Sequence, residues 1–352
     1  MAKKSSRKRK PGKPWKTIVL FSVLSLIIAT GIFFAYRILA PNTAPFHDQR
    51  YFYIHTGSSY AQVLKALKDQ DIVKSINSFD WLARQADYPE HVKAGRYEIK
   101  TGMSNLEIVK LLHSGRQMPV KLVINKLRTR EDFVAFVSTR LEADSNTLRV
   151  LLRDPVYLRR YGLDTNTALC AVIPNTYEFF WNTGAEDLYD RLAKEARKFW
   201  TDKRKTAADS LGLTIPQVYI LASIIEEETN NNGEKPLIAS VYLNRLRSGM
   251  RLSADPTVKF AVGNFSLRRI TGKQTGFDSP YNTYLYAGLP PGPICTPSIK
   301  TIDAVLRASH TEYLYFCASA DFSGRHVFAA TYAEHLRNAR RYQKALDSLA
   351  IH

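Results

Sequence analysis

Twenty consecutive positions, Thr17 to Tyr36, carry no charge and read TIVLFSVLSLIIATGIFFAY. A helix of that length is about 30 Å long, the thickness of a bilayer's hydrocarbon core. Beyond it, Pro41 to Gln49 is polar and contains two prolines, which reads as a short linker. Two stretches with alternating apolar positions follow, Tyr51 to His55 and Arg96 to Lys100, and each predicts a strand. Each leads into one copy of a repeat. Thr56 to Leu67 (TGSSYAQVLKAL) aligns with Thr101 to Leu112 (TGMSNLEIVKLL), with five of twelve positions identical. Ser59 followed by Gln62, and Ser104 followed by Glu107, are capping boxes that start helices. A further helix is expected over Phe79 to Ala86 and a strand over Val120 to Ile124. Thr129 to Tyr161 is helical, with starts marked by Thr129, Ser145 and Pro155. One long amphipathic helix is expected from Ala185 to about Ser210. Late strands are expected at Tyr313 to Cys317 and Arg325 to Ala329.

These elements predict an α+β protein: an N-terminal transmembrane helix, a small α+β subdomain and a larger mixed α+β domain. The expected divisions are a basic tail over 1–16, the span over 17–36, a linker over 37–49, the small subdomain over 50–125, a helical connector over 126–168 and the large domain over 169–349.

Charge fixes the orientation of that plan. No acidic residue precedes Asp48, and the first sixteen residues hold eight Lys and Arg. The positive-inside rule keeps this tail cytoplasmic and sends everything after Arg37 across the membrane. A signal peptide has a shorter apolar core, and Leu39-Ala40 is followed by Pro41, a poor cleavage setting, so the segment reads as a retained anchor. The net charge is +18 over 352 residues. The surplus outside the tail suits an anionic partner such as a membrane face or an acidic wall polymer. Nucleic acid is not expected as a partner, because only the short tail stays in the cytoplasm. Cys170, Cys295 and Cys317 are odd in number and form no CxxC pair, so no metal site or disulfide framework is expected. His326 and His335 lack ligand spacing, and His326 reads as structural.

The candidate chemistry lies in Ile215 to Gly233, where Pro216 opens a helix and an Asn-Asn-Asn-Gly run closes it. Rows at i, i+4 join Val218, Ala222 and Glu226, and Ile220, Ile224 and Glu228. The third row, Tyr219, Ser223 and Glu227, is the most polar and is expected to face water. A carboxylate at the end of an apolar row loses solvation, and its pKa rises toward that of a general acid. The geometry of the sequence does not choose between Glu226 and Glu228. A second helix is expected from Pro236 to near Gly249. The loops beyond are rich in Tyr, Pro and Gly, and Tyr281, Asn282 and Tyr284 offer flat faces and an amide that suit sugar rings.

These blocks together resemble the YceG-like family of endolytic peptidoglycan transglycosylases. The matching stretches are Leu221 to Thr229 (LASIIEEET), Asn244-Arg-Leu, Met250-Arg-Leu, Asp255-Pro-Thr-Val, Tyr281-Asn-Thr-Tyr, Gly288 to Ile294 (GLPPGPI), Tyr313-Leu-Tyr-Phe and Glu334-His, with Pro174-Asn-Thr-Tyr upstream. The small subdomain resembles a LysM-like module, a fold associated with cell-wall glycans. The resemblance implies a lyase that needs no cofactor or metal. In it Glu226 protonates the oxygen between N-acetylmuramic acid and N-acetylglucosamine, then takes the muramyl C6 hydroxyl proton as a 1,6-anhydro ring closes. It implies glycan contacts for Glu228, Arg251, Asp255, Thr257, Tyr281, Asn282 and Tyr284. It also implies a location in the bacterial cytoplasmic membrane with the large domain outside, peptidoglycan strands as partner, and peptidoglycan synthases as neighbours. The sequence departs from the family pattern at Ser253-Ala-Asp255 and at Cys295-Thr-Pro-Ser298. Two other readings stay open: a muramidase-type hydrolase with Asp255 or Glu228 positioning water, and a non-catalytic wall-binding scaffold.

Overall fold

The computed structural model describes residues 15–46, 49–267 and 269–348. The basic tail up to residue 14 lies outside them. Two compact units divide the chain between Pro119 and Val120.

The first unit begins with helix α1 (Trp15–Leu39), five residues longer than the expected span and with its residues up to Tyr36 all exposed. Then come β1 (Arg50–Ile54), α2 (Tyr60–Asp69), α3 (Ile76–Gln85), β2 (Gly95–Ile99) and α4 (Asn105–Ser114). The strands pair antiparallel with Phe52 opposite Tyr97. Alternate residues Phe52, Ile54, Tyr97 and Ile99 point into one core with Leu67, Phe79, Ile108 and Leu112. Both expected capping boxes form. The Ser59 N–H donates to Gln62 Oε1 at 2.7 Å and the Ser104 N–H to Glu107 Oε2 at 2.8 Å. The Thr-Gly turns before them need left-handed backbone, and Gly57 (φ +78°) and Gly102 (φ +89°) supply it. The segment after α1 is not a free linker. Asn42 and Thr43 are buried, and Pro41 and Thr43 bridge to Ser104 and Val73.

The second unit opens with β3 (Val120–Val123), α5 (Arg130–Ser138), α6 (Ser145–Leu151) and α7 (Pro155–Arg159), then β4 (Thr176–Phe179) and α8 (Ala185–Phe199). β3 pairs antiparallel with β4, Leu122 opposite Tyr177. The strand at 120 therefore belongs here and not to the small subdomain, because its partner lies over fifty residues on. The segment read as a connector shares this core: Leu122, Phe133, Val137, Leu148 and Leu158 pack in one cluster with Tyr177, Leu188 and Leu192. The single long helix expected after Ala185 is two. Trp200 leaves the helical conformation (ψ 70°) with its side chain buried, and α9 (Asp202–Ser210) restarts beyond it.

The remaining elements are α10 (Ile215–Glu228), α11 (Lys235–Arg247), α12 (Asp255–Val262), α13 (Gly272–Thr275), α14 (Ile299–Leu306), the antiparallel pair β5 (Tyr315–Ala318) and β6 (His326–Ala329), and α15 (Tyr332–Ser348). A second core gathers around α10, from Val218, Tyr219, Leu221, Ala222, Ile224 and Ile225 with Ile238, Tyr242, Ile302 and Val305. Cys170 and Cys295 are buried and Cys317 is partly so, and all three are free thiols.

Candidate functional site

Thr214 caps α10: its hydroxyl accepts from the Gln217 N–H, and its own N–H donates to Gln217 Oε1 at 2.8 Å. Every residue from Val218 to Ile225 is buried. The row expected to face water is inside. Tyr219 Oη donates to Val172 O at 2.6 Å. Ser223 Oγ donates to Ile220 O at 2.7 Å and accepts from the Ile294 N–H at 3.0 Å. Backbone groups satisfy these hydroxyls, so the polar row costs little to bury. The last turn then leaves the core with three glutamates in three settings.

Glu226 turns toward α14 and the start of α11. Its Oε2 accepts from Lys235 Nζ at 3.1 Å, from Ser298 Oγ at 2.9 Å and from Thr301 Oγ1. Lys235 Nζ also donates to Thr301 Oγ1 at 2.7 Å. Among the described residues no donor reaches Oε1. Burial pushes the carboxyl up, but the Thr301 hydroxyl, the Lys235 ammonium and the Ser298 hydroxyl outweigh it and hold the group below its ordinary value. This differs from the expectation for a carboxylate ending an apolar row, because three donors meet it there.

Glu227 is not the solvated member. Lys126 Nζ lies 2.9 Å from its Oε1 and Arg128 Nη2 3.2 Å from its Oε2. The 125–128 segment is pinned there by Thr296, which donates its N–H to Leu127 O and accepts from the Leu127 N–H at 2.9 Å.

Glu228 turns the other way, toward α11, and Tyr242 Oη donates to its Oε1 at 2.5 Å. Burial pushes this carboxyl up to about 7; the nearby Asp255 charge acts in the same direction, and the Tyr242 hydroxyl, Lys259 and Arg245 act against it. Glu228 therefore has the environment expected of a general acid.

The loop residues fall into two groups. Asp255 opens α12, where a carboxylate suits the helix dipole, and Tyr284 Oη donates to its Oδ1 at 2.6 Å. Arg251 Nη1 donates to Tyr284 O at 3.1 Å, so Arg251, Asp255 and Tyr284 form one partly exposed patch. Thr257 and Asn282 are fully buried. Thr257 Oγ1 donates to Ala254 O at 2.6 Å. Asn282 Nδ2 donates to Thr275 O at 3.0 Å and Phe277 O at 2.7 Å, while its Oδ1 accepts from the Tyr284 N–H at 3.0 Å. Their polar atoms are committed to holding the loop. Tyr281 is half-buried, its ring 4.7 Å from that of Phe260. Gly292 lies beside it, so close to the 166 backbone that a Cβ would stand 2.3 Å from Asn166 O.

The sequence reading missed Lys235, Tyr242, Ser298 and Thr301. Lys235 carried a signal: a lysine in the first turn of a helix opposes the dipole and needs a carboxylate nearby. Thr301 is 75 positions from Glu226, and only the fold brings them together.

Fold and site define an α+β protein with an N-terminal apolar helix of spanning length and a carboxylate centre at the end of a buried helix. The chain belongs to the YceG-like family, whose model matches residues 52–341. It is 28% identical over 305 residues to an endolytic murein transglycosylase of Bacillus subtilis (strain 168), covering 82% of this chain and 83% of the relative. It is 26% identical over 359 residues to the endolytic murein transglycosylase of Streptococcus pneumoniae serotype 2 (strain D39), covering 92% of this chain and 65% of that one. A crystal structure of a YceG-like protein from Listeria monocytogenes superposes with a TM-score of 0.55 at 28% identity, covering 82% of this chain and 98% of the other.

Proposed function

We propose that the protein is a membrane-anchored endolytic lytic transglycosylase. It cleaves the β-1,4 bond between N-acetylmuramic acid and N-acetylglucosamine in nascent peptidoglycan and leaves 1,6-anhydro ends. The observation that carries this reading is the Glu226 carboxyl, with one oxygen gripped by three donors and, among the described residues, no donor on the other. The apolar helix α1 supports a single-pass anchor, with the two units on the outer side of the cytoplasmic membrane. The β1-α2-α3-β2 order of the first unit supports a LysM-like role in glycan binding.

In the reaction the glycosidic oxygen receives a proton and its bond to the muramyl C1 breaks. The C6 hydroxyl then gives its proton to a carboxylate as its oxygen closes on C1, and no water is consumed. Glu226, resting ionised, is suited to the second proton transfer and to facing the positive charge that develops at C1. For the first transfer it must be protonated. A sugar ring laid over Oε1 removes water from the carboxylate and raises its affinity for a proton. A specific observation favours a second donor: Glu228, pushed up to about 7, holds its proton in about half of the molecules at neutral pH. In that version Glu228 gives the first proton, Glu226 takes the second, and solvent returns it.

Digestion of purified glycan strands tests the proposal. Wild type should yield anhydro ends by mass spectrometry and Glu226→Gln none. Reducing ends would make the protein a hydrolase. Full cleavage by the variant would remove Glu226 from the chemistry, and inert wild type would leave a wall-binding scaffold.

A further inference from the structure

The end of α1 is built into the first unit by a buried polar joint. Asn105 Nδ2 donates to Arg37 O at 2.8 Å, which satisfies a carbonyl in the helix's last turn. Asn42 Nδ2 donates to Asn105 Oδ1 at 2.6 Å and to Ser75 O at 3.1 Å, and Asn42 Oδ1 accepts from the Ser75 N–H at 2.9 Å. Asn42 is 6% exposed and Asn105 1%, so these bonds are shielded from water. Ile38 packs on the unit's apolar core. Phe34, still within the charge-free run, packs on Trp81 of α3 with ring centroids 5.2 Å apart and the rings tilted by 33°.

These contacts fix a height. Arg37 is the first charge after the apolar run, so the hydrocarbon boundary falls near it, and Phe34 lies about 4–5 Å inside. Trp81, against Phe34, is then level with the glycerol layer and the top of the acyl chains, where tryptophan's apolar body and polar N–H are both satisfied. Exposed Lys74, whose N–H donates to Asn42 O at 2.7 Å, stands beside the joint within reach of phosphates.

We infer that the first unit is a membrane-surface module: it lies against the lipid headgroups with Trp81 in the interface, and anchor and unit move as one body. This rests on α1 spanning the bilayer, as proposed above. The test uses the full chain in phosphatidylcholine–phosphatidylglycerol vesicles with bromine placed near the top or near the end of the acyl chains. The contributions of Trp81 and Trp15 are taken as differences from Trp81→Phe and Trp15→Phe. The Trp81 contribution should be quenched about twofold more by bromine at the chain top than at its end. In Asn42→Ala that quenching should fall while Trp15 is unchanged. Trp15 quenched by lipid with Trp81 quenched only by aqueous iodide would overturn the inference and leave the anchor standing. Neither tryptophan quenched by lipid would overturn both. Unaltered Trp81 quenching in Asn42→Ala, with an unaltered circular dichroism spectrum, would overturn the single-body claim.

Discussion

Lys235 Nζ sits 3.1 Å from Glu226 Oε2 with its side chain only 4% exposed, so a buried ammonium depends on that one carboxylate as its counterion. If Glu226 does the chemistry proposed above, that chemistry is tied to the stability of the α10–α11 packing.

Glu226→Gln should lose activity and also stability, since Lys235 keeps its charge and loses its counterion. Breaking one side of a buried pair costs about 3–5 kcal/mol. The double variant Glu226→Gln with Lys235→Met should recover much of that loss without recovering cleavage. Denaturant unfolding of the four chains measures the coupling, and strictly additive losses would show the pair to be energetically independent.

Glu228 sets a pH dependence of its own. Its folded-state value of about 7 lies above the ordinary 4.5, so the folded state holds a proton that the unfolded state releases. Stability should fall as pH rises from 4.5 to 7 and level off above, by on the order of 3 kcal/mol. Glu228→Gln should abolish that fall. If Glu228 is the first proton donor, kcat/KM should drop through about 7 in wild type, and the variant should lose about 100-fold or more in kcat. Full activity in Glu228→Gln would return both proton transfers to Glu226.

Asn282→Ala should leave the Thr275 and Phe277 carbonyls without their shared donor and the Tyr284 N–H without its acceptor. A cost of about 1–3 kcal/mol is expected, with weakened glycan binding as Tyr284 and its bond to Asp255 loosen. Tyr284→Phe removes only the Asp255 contact and should be milder in unfolding experiments.

Gly292→Ala should be severely destabilising, because its Cβ would meet Asn166 O at 2.3 Å and Tyr281 Oη at 2.8 Å, and a backbone carbonyl cannot swing away. Gly184→Ala, with open space around the added methyl, is the control and should cost only the loss of a glycine N-cap, about 0.5–1 kcal/mol, in a thermal melt.

Lengthening the chain at Pro41 to Thr43 would break the buried joint, so the useful insertion point is between Pro119 and Val120. A flexible insert there should change the length distribution of released glycan if reach from the membrane sets the cut. An unchanged distribution would make the anchor a tether only.

The local grammar of this chain was legible. Ser59, Ser104, Thr129 and Pro216 each start a helix where expected, because capping and proline geometry act within one turn. What depended on distant partners was not legible. The polar look of Tyr219, Ser223 and Glu227 pointed to water, yet their partners are Val172, Ile294 and the Lys126–Arg128 pair, far away in sequence. Ser298, within the departure from the family pattern at Cys295 to Ser298, donates directly to Glu226, so that departure bears on the glutamate and not on loop shape alone. The joint at Asn42 looked like linker because short polar residues flank a proline in both cases.

The three cysteines have a practical consequence. Burial raises the Cys170 and Cys295 thiols and keeps them poorly nucleophilic, and none of the three is bridged. With no disulfide among the described residues, the chain should reach the same fold in a reducing buffer as in an oxidising one.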